Sequence, residues 1–71
     1  METVAITAEP IQLDQFLKLA GIVDTGGQVK KLIEDGLIRI NDQPATERRK
    51  KLHHGDTVEI KGTGIWKVTG P

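Results

Sequence analysis

Four consecutive cations, Arg48-Arg49-Lys50-Lys51, are the feature of this sequence with the clearest chemistry. Arginine can donate two hydrogen bonds to one phosphate, and lysine acts as a mobile point charge, so this basic run fits a polyanion. The alternative is a solvated edge strand whose like charges prevent aggregation. The density of the run, together with Lys30 and Lys31 earlier in a small chain, favours phosphate binding.

Gly26-Gly27 is a second candidate anion site, because a helix is predicted to begin here. Without side chains in the way, a phosphate can approach backbone amides that the helix dipole makes attractive to anions. The alternative is a turn that needs unusual dihedral angles, which glycine also permits. The pair by itself does not decide between them.

Other residue types offer less chemistry. Trp66 and Phe16 are the whole aromatic content, so Trp66 is predicted to pack in the core or at an edge rather than to stack on bases. His53 and His54 are adjacent, and neighbours on a strand point to opposite faces, so they do not predict a shared metal site. We find no nucleophile with a base, no paired carboxylates and no phosphate-binding loop. We therefore expect no enzyme, no metal and no cofactor.

Length and composition narrow the candidates further. A chain of 71 residues without cysteine accommodates one domain, residues 1–71, with one modest core that is stabilised by packing. No apolar stretch approaches the roughly 20 residues of a membrane span, and the first residues lack the pattern of a secretory signal. These observations predict a cytoplasmic protein that does not associate with membranes.

The charge is neutral overall but unevenly placed. Ten basic side chains balance ten acidic ones. Residues 1–28 carry one basic against four acidic side chains, a net of minus three, whereas residues 29–54 carry seven against four, a net of plus three. Because partners respond to local potential, the middle of the chain is the predicted anion-binding region.

The first elements are predicted from periodicity. Residues 3–7 alternate as in a short half-buried strand, which ends before Pro10. Apolar side chains from Leu13 to Ala20 then follow helical spacing, and Gly21 is placed to end that helix. Thr25 and Gln28 form a capping-box pattern that starts a second helix.

The second helix should end at Gly36, with Lys30 and Lys31 on its outer face. Strands are predicted over 37–40, 57–61 and 65–68, with a tight turn at 41–44 and the basic run in a loop or at a strand edge. The predicted fold class is α+β, with two short packed helices followed by a small, mostly antiparallel β-sheet that leaves one face free.

The order of these elements resembles the RNA-binding domain named after small-subunit ribosomal protein S4, over about residues 11–61. The residues that carry the resemblance are Leu13-Asp14, Phe16-Leu17, Gly21, Thr25, Leu32-Ile33, Gly36, Asn41, Leu52, Gly55-Asp56 and Val58. Thr25-Gly26-Gly27-Gln28 and the basic run look most like the small stand-alone bacterial subfamily. The resemblance implies the helix and hairpin arrangement called the alpha-L motif.

The resemblance also implies an RNA-facing surface. It combines the start and outer face of the second helix with the basic run, and carries over to Thr25, Gly26, Gly27, Gln28, Lys30, Lys31, Arg48, Arg49, Lys50 and Lys51. Two positions depart from the family pattern. Gln12 stands where many members have arginine, which removes a potential phosphate contact, and Asn41-Asp42 stands where many have Asn-Gly, which changes a turn.

These observations lead to a functional expectation. The chain is expected to be a non-catalytic, monomeric, ribosome-associated protein that contacts structured RNA, ribosomal or transfer RNA, through its basic surface. The alternative is an adaptor that docks on another protein through an exposed sheet edge or through its acidic N-terminal half.

Overall fold

Seven short strands and two helices make up the chain, which a computed structural model describes over residues 1–71. The elements are β1 (Glu2–Ala5), β2 (Ile11–Gln12), α1 (Leu13–Leu19), α2 (Gly26–Glu34), β3 (Ile38–Ile40), β4 (Gln43–Pro44), β5 (Lys51–Leu52), β6 (Thr57–Ile60) and β7 (Gly64–Thr69). Neither helix is long and apolar enough to cross a membrane.

Local signals start α2 and end both helices as predicted. The Thr25 hydroxyl accepts from the Gln28 amide at 3.3 Å, and Gln28 Oε1 accepts from the Thr25 amide at 3.0 Å, which completes the capping box of α2. Gly21 follows α1 with φ +75° and Gly36 follows α2 with φ +69°, the left-handed conformation in which glycine ends a helix.

The main sheet has five strands in the order β1-β7-β6-β3-β4. The predicted α+β class is confirmed, but the order of elements in that prediction was wrong, because β1 precedes the helices and belongs to the sheet. It pairs with β7 in parallel, while the other pairs are antiparallel, so the sheet is mixed. A parallel pair needs a long crossover, which the helices and intervening strands supply here. Alternation along residues 3–7 indicates a strand but not its partner.

A separate two-stranded sheet joins distant parts of the chain. Ile11 pairs with Leu52 and Gln12 with Lys51, in antiparallel register. This β2–β5 pair was not predicted, because strands of two residues are too short to show a period. It places the end of the basic run directly beside the start of α1.

One face of the main sheet packs against both helices. Its inward side chains alternate along β3, β6 and β7 and join the helices and β5 in one core of 13 buried hydrophobic residues: Ile6, Leu13, Phe16, Leu17, Val23, Val29, Ile38, Ile40, Leu52, Val58, Ile60, Trp66 and Val68. Trp66 is 7% exposed and its indole nitrogen donates to Glu2 Oε2 at 3.1 Å, so its predicted packing role is confirmed. The opposite face carries polar residues such as Arg39, Glu59 and Lys67.

Candidate nucleic-acid interface

The basic run is fixed by its backbone to the first turn of α1. The Leu13 amide donates to the Lys50 carbonyl at 2.8 Å, and the Asp14 amide donates to the Arg48 carbonyl at 2.9 Å. The first amides of a helix have no acceptor within the helix. Here the carbonyl groups of the basic run accept from two of them. Its main chain is thereby held in place, while the side chains of Arg49, Lys50 and Lys51 are exposed.

Gly26, the first residue of α2, lies against the side chain of Arg48. A Cβ atom at Gly26 would come within 2.7 Å of Arg48 Nη1 and 3.7 Å of Asp14 Oδ2. Neither Gly26 nor Gly27 has a positive φ, so the alternative of a turn with unusual dihedral angles does not apply. The absent side chain at Gly26 instead makes room for the guanidinium group.

Lys30 and Arg48 both line a groove of about 470 Å³ between α2 and the segment that leads into the basic run. Ile33, Glu34 and Thr46 complete its lining. We call it the cationic groove, since two of its three charged residues are basic. The structure thus brings together Gly26, Lys30 and Arg48 from the two halves of the predicted surface.

The other predicted residues lie around this centre rather than in it. Thr25, Gly27, Gln28 and Lys31 line a different groove of α2, and the Lys31 ammonium pairs with Asp35 at 3.3 Å. The remaining cations of the basic run, Arg49, Lys50 and Lys51, are exposed and form no ion pair. Lys50 lines a third groove, beside the hairpin turn after β3.

Asn41 has a role that sequence patterns did not show. Its Oδ1 accepts from the Thr57 amide at 2.9 Å and its Nδ2 donates to Asp56 Oδ1 at 3.0 Å. The other carboxylate oxygen of Asp56 accepts from the His53 amide at 2.8 Å. These bonds connect the turn after β3 to the turn after β5 and so hold the far end of the basic run. The two partners of Asn41 are 15 residues or more away in the sequence, beyond the range of any local signal.

Asp14 is the buried acid of this region, 7% exposed. The sequence assigned it to capping at the start of α1, and its Oδ1 does accept from the Gln15 amide at 2.8 Å. Its second oxygen faces the same Gly26 position as the Arg48 guanidinium, as the distances above show. Asp14 therefore places an acidic side chain near both Arg48 and the start of α2, which its position in the sequence did not indicate.

The sequence matches the family model of the S4 domain over residues 4–68. The chain belongs to the S4 domain family. The match extends past the predicted range of 11–61 at both ends and includes the second half of β1 and most of β7. No group of histidine, cysteine, aspartate or glutamate side chains in this S4 domain is arranged to hold a metal ion.

Two relatives align with the S4 domain over almost its whole length. It is 42% identical over 65 residues to a protein of Bacillus subtilis (strain 168) named probable ribosome maturation protein RlbA, with 92% of each chain covered. It is 30% identical over 69 residues to the putative RNA-binding protein YbcJ of Escherichia coli (strain K12), with 96% of this chain and 99% of the relative covered.

Proposed function

We propose that this S4 domain is a non-catalytic, cytoplasmic RNA-binding protein that contacts structured ribosomal RNA during ribosome maturation. The observation that carries the proposal is the close approach of Arg48 to Gly26. It joins the positive end of α2 to the basic run, so that one surface offers backbone amides and cations together.

The chemistry of this surface favours recognition of shape and backbone over base sequence. Lys30 and Arg48 line one groove, and Arg49, Lys50 and Lys51 extend the positive charge along the same segment as Arg48. Folded RNA presents phosphates and ribose hydroxyls in a fixed geometry, which such cations can contact without reading bases. The neutral net charge of the chain confines the attraction to this surface.

The choice of ribosomal RNA is supported by the relative named probable ribosome maturation protein, which aligns with 92% of this chain. Transfer RNA is the other folded RNA that the family resemblance left open. Measuring the Kd for each RNA distinguishes these two ligands, because both present phosphates but fold into different shapes.

The surface is tested by replacing Lys30→Glu and Arg48→Glu together and measuring the Kd for a ribosomal RNA fragment and for transfer RNA. We expect a loss of at least about tenfold, because each charged hydrogen bond contributes about 1.5–3 kcal/mol. The matched control is Lys18→Glu with Lys67→Glu, which changes the net charge equally on α1 and on β7, away from the cationic groove.

Salt dependence gives the second measurement. The wild-type log Kd should change with log salt by about 0.7 to 0.9 for each phosphate neutralised, and the Lys30/Arg48 double variant should show a shallower slope. Equal losses in the two double variants would mean that overall charge, not this surface, decides binding. Absence of binding to either RNA by the wild type would overturn the proposed function.

A further inference from the structure

A second groove, on the other side of α2 from the cationic groove, has a different chemistry. It encloses about 630 Å³, the largest groove volume on the molecule. Its buried and half-buried lining is aliphatic, from Ile22, Val23, Leu32 and Ile60. Its exposed lining is polar and includes Thr25, Gln28 and Lys31. We call it the aliphatic groove.

The side-chain amide of Gln28 is held in a defined orientation beside this groove. Its Oε1 accepts from the backbone amides of Asp24 and Thr25, as part of the capping box. Its Nε2 donates to no atom of the protein. The capping interaction therefore fixes the amide group and leaves its two N–H donors free for a ligand.

We propose that the aliphatic groove receives one unpaired base of the bound RNA. The aliphatic floor can cover the face of a base, and Gln28 Nε2 can donate to an acceptor on the base edge. Thr25 and Lys31, at the rim, can contact the phosphate of the same nucleotide. The inference rests on the proposed function and names its ligand more closely.

The two grooves lie on opposite sides of α2, which defines the RNA that fits both. The cationic groove holds backbone phosphates, and the aliphatic groove holds a base that has left its stack. The ligand class is thus a paired stem that carries an unpaired nucleotide, as in a bulge or a loop junction, rather than a continuous duplex.

A peptide side chain is a poorer occupant of the aliphatic groove. An apolar side chain would cover the floor but leave the two donors of Gln28 without acceptors, and a buried donor without a partner is unfavourable. A base supplies an apolar face and edge acceptors in one group. The position of Lys31 and the positive end of α2 at the rim also favour a ligand with an attached phosphate.

The proposal is tested with two RNA hairpins of the same stem, one continuous and one with a single unpaired nucleotide. The Kd of the full chain for each is measured at fixed salt. We expect the bulged hairpin to bind about fivefold tighter, the gain that corresponds to burying about 40 Å² of apolar surface between the base and the aliphatic floor. Methyl NMR signals of Ile22, Leu32 and Ile60 should shift with the bulged hairpin and not with the continuous one.

The chain offers a matched pair of variants. Gln28→Glu supplies a carboxylate oxygen in place of the amide oxygen that accepts in the capping box, but it removes both N–H donors. It should therefore abolish the preference for the bulged hairpin. Gln15→Glu makes the same chemical change at the same helical position of α1, where Gln15 Oε1 accepts from the Gln12 amide, and should leave the preference unchanged.

The outcomes separate this inference from the proposed function. If both hairpins bind with equal Kd and the groove methyls do not shift, the base site is overturned while RNA binding stands. If neither hairpin nor any folded RNA binds, the proposed function is overturned, and the base site is overturned with it. Equal loss of preference in the two glutamate variants would attribute the effect to charge and overturn the role of Gln28.

Discussion

At the scale of single residues, Gly26 and Arg48 define the candidate surface. A glycine pair at a helix start is typical of both turns and anion sites, and the sequence left the choice open. The structure decides it by distance, because the Arg48 guanidinium lies where a Gly26 side chain would begin. Gly27, one residue later, has no such neighbour, since its Cβ would meet only Thr25 Oγ1 at 3.7 Å.

Gly26→Ala should therefore weaken RNA binding more than Gly27→Ala does. The new methyl group displaces the end of the Arg48 side chain, which is flexible enough to move without unfolding the protein. Both variants should raise the free energy of unfolding by up to about 1 kcal/mol, because alanine favours a helix more than glycine does. RNA titration and urea unfolding of the two variants check this. Equal affinities for the two alanine variants would contradict the proposed role of Gly26.

At the scale of elements, the hairpin between β3 and β4 shows how a departure from the family pattern is accommodated. Ile40 pairs with Gln43, so Asn41 and Asp42 form a two-residue loop with φ +50° and +68°. These values correspond to a type I′ turn, for which Asn-Gly is a preferred sequence. Asp42 occupies the position of the usual glycine and adopts a conformation that disfavours a Cβ atom.

Asp42→Gly should stabilise the protein by up to about 1 kcal/mol, because it relieves the left-handed strain. Asn41→Gly relieves the same kind of strain but removes the hydrogen bonds to Asp56 and Thr57, and should destabilise by about 1–2 kcal/mol. Urea unfolding at neutral pH measures both changes. Stabilisation by both glycines would show that the Asn41 network contributes nothing to folding.

At the scale of the whole molecule, the exposed basic run depends on the core. Leu52 directly follows the run, is fully buried and belongs to β5, which pairs with the strand before α1. A small domain with one core has little stability to lose. Packing of this one side chain thus helps to hold the surface cations near α2.

Leu52→Ala should lower the free energy of unfolding by about 3 kcal/mol, the usual cost of a cavity at a buried leucine. Leu19→Ala is the matched control, since Leu19 is 56% exposed and its truncation should change stability by less than about 0.5 kcal/mol. Thermal unfolding followed by circular dichroism distinguishes them. Similar shifts in Tm for the two variants would contradict the central position of Leu52.

The sequence by itself determined the features that depend on neighbours within a few residues. The capping box of Thr25 and Gln28, the glycines after both helices and the buried alternation of β6 were all predicted and are present. Their energetics are local, so the residue order is sufficient to reveal them. The resemblance to the S4 domain rested on the order of these same local features, which is why the family was recognisable.

Only the tertiary structure decided which distant residues meet. The parallel pairing of β1 with β7 and the contact of Gly26 with Arg48 join residues far apart in sequence, and the predicted surface is distributed over three grooves. Periodicity reports which face of an element is buried, but it carries no information on what lies against that face. The core fixes those partners, because this arrangement of the helices over the sheet packs 13 buried hydrophobic residues into one cluster.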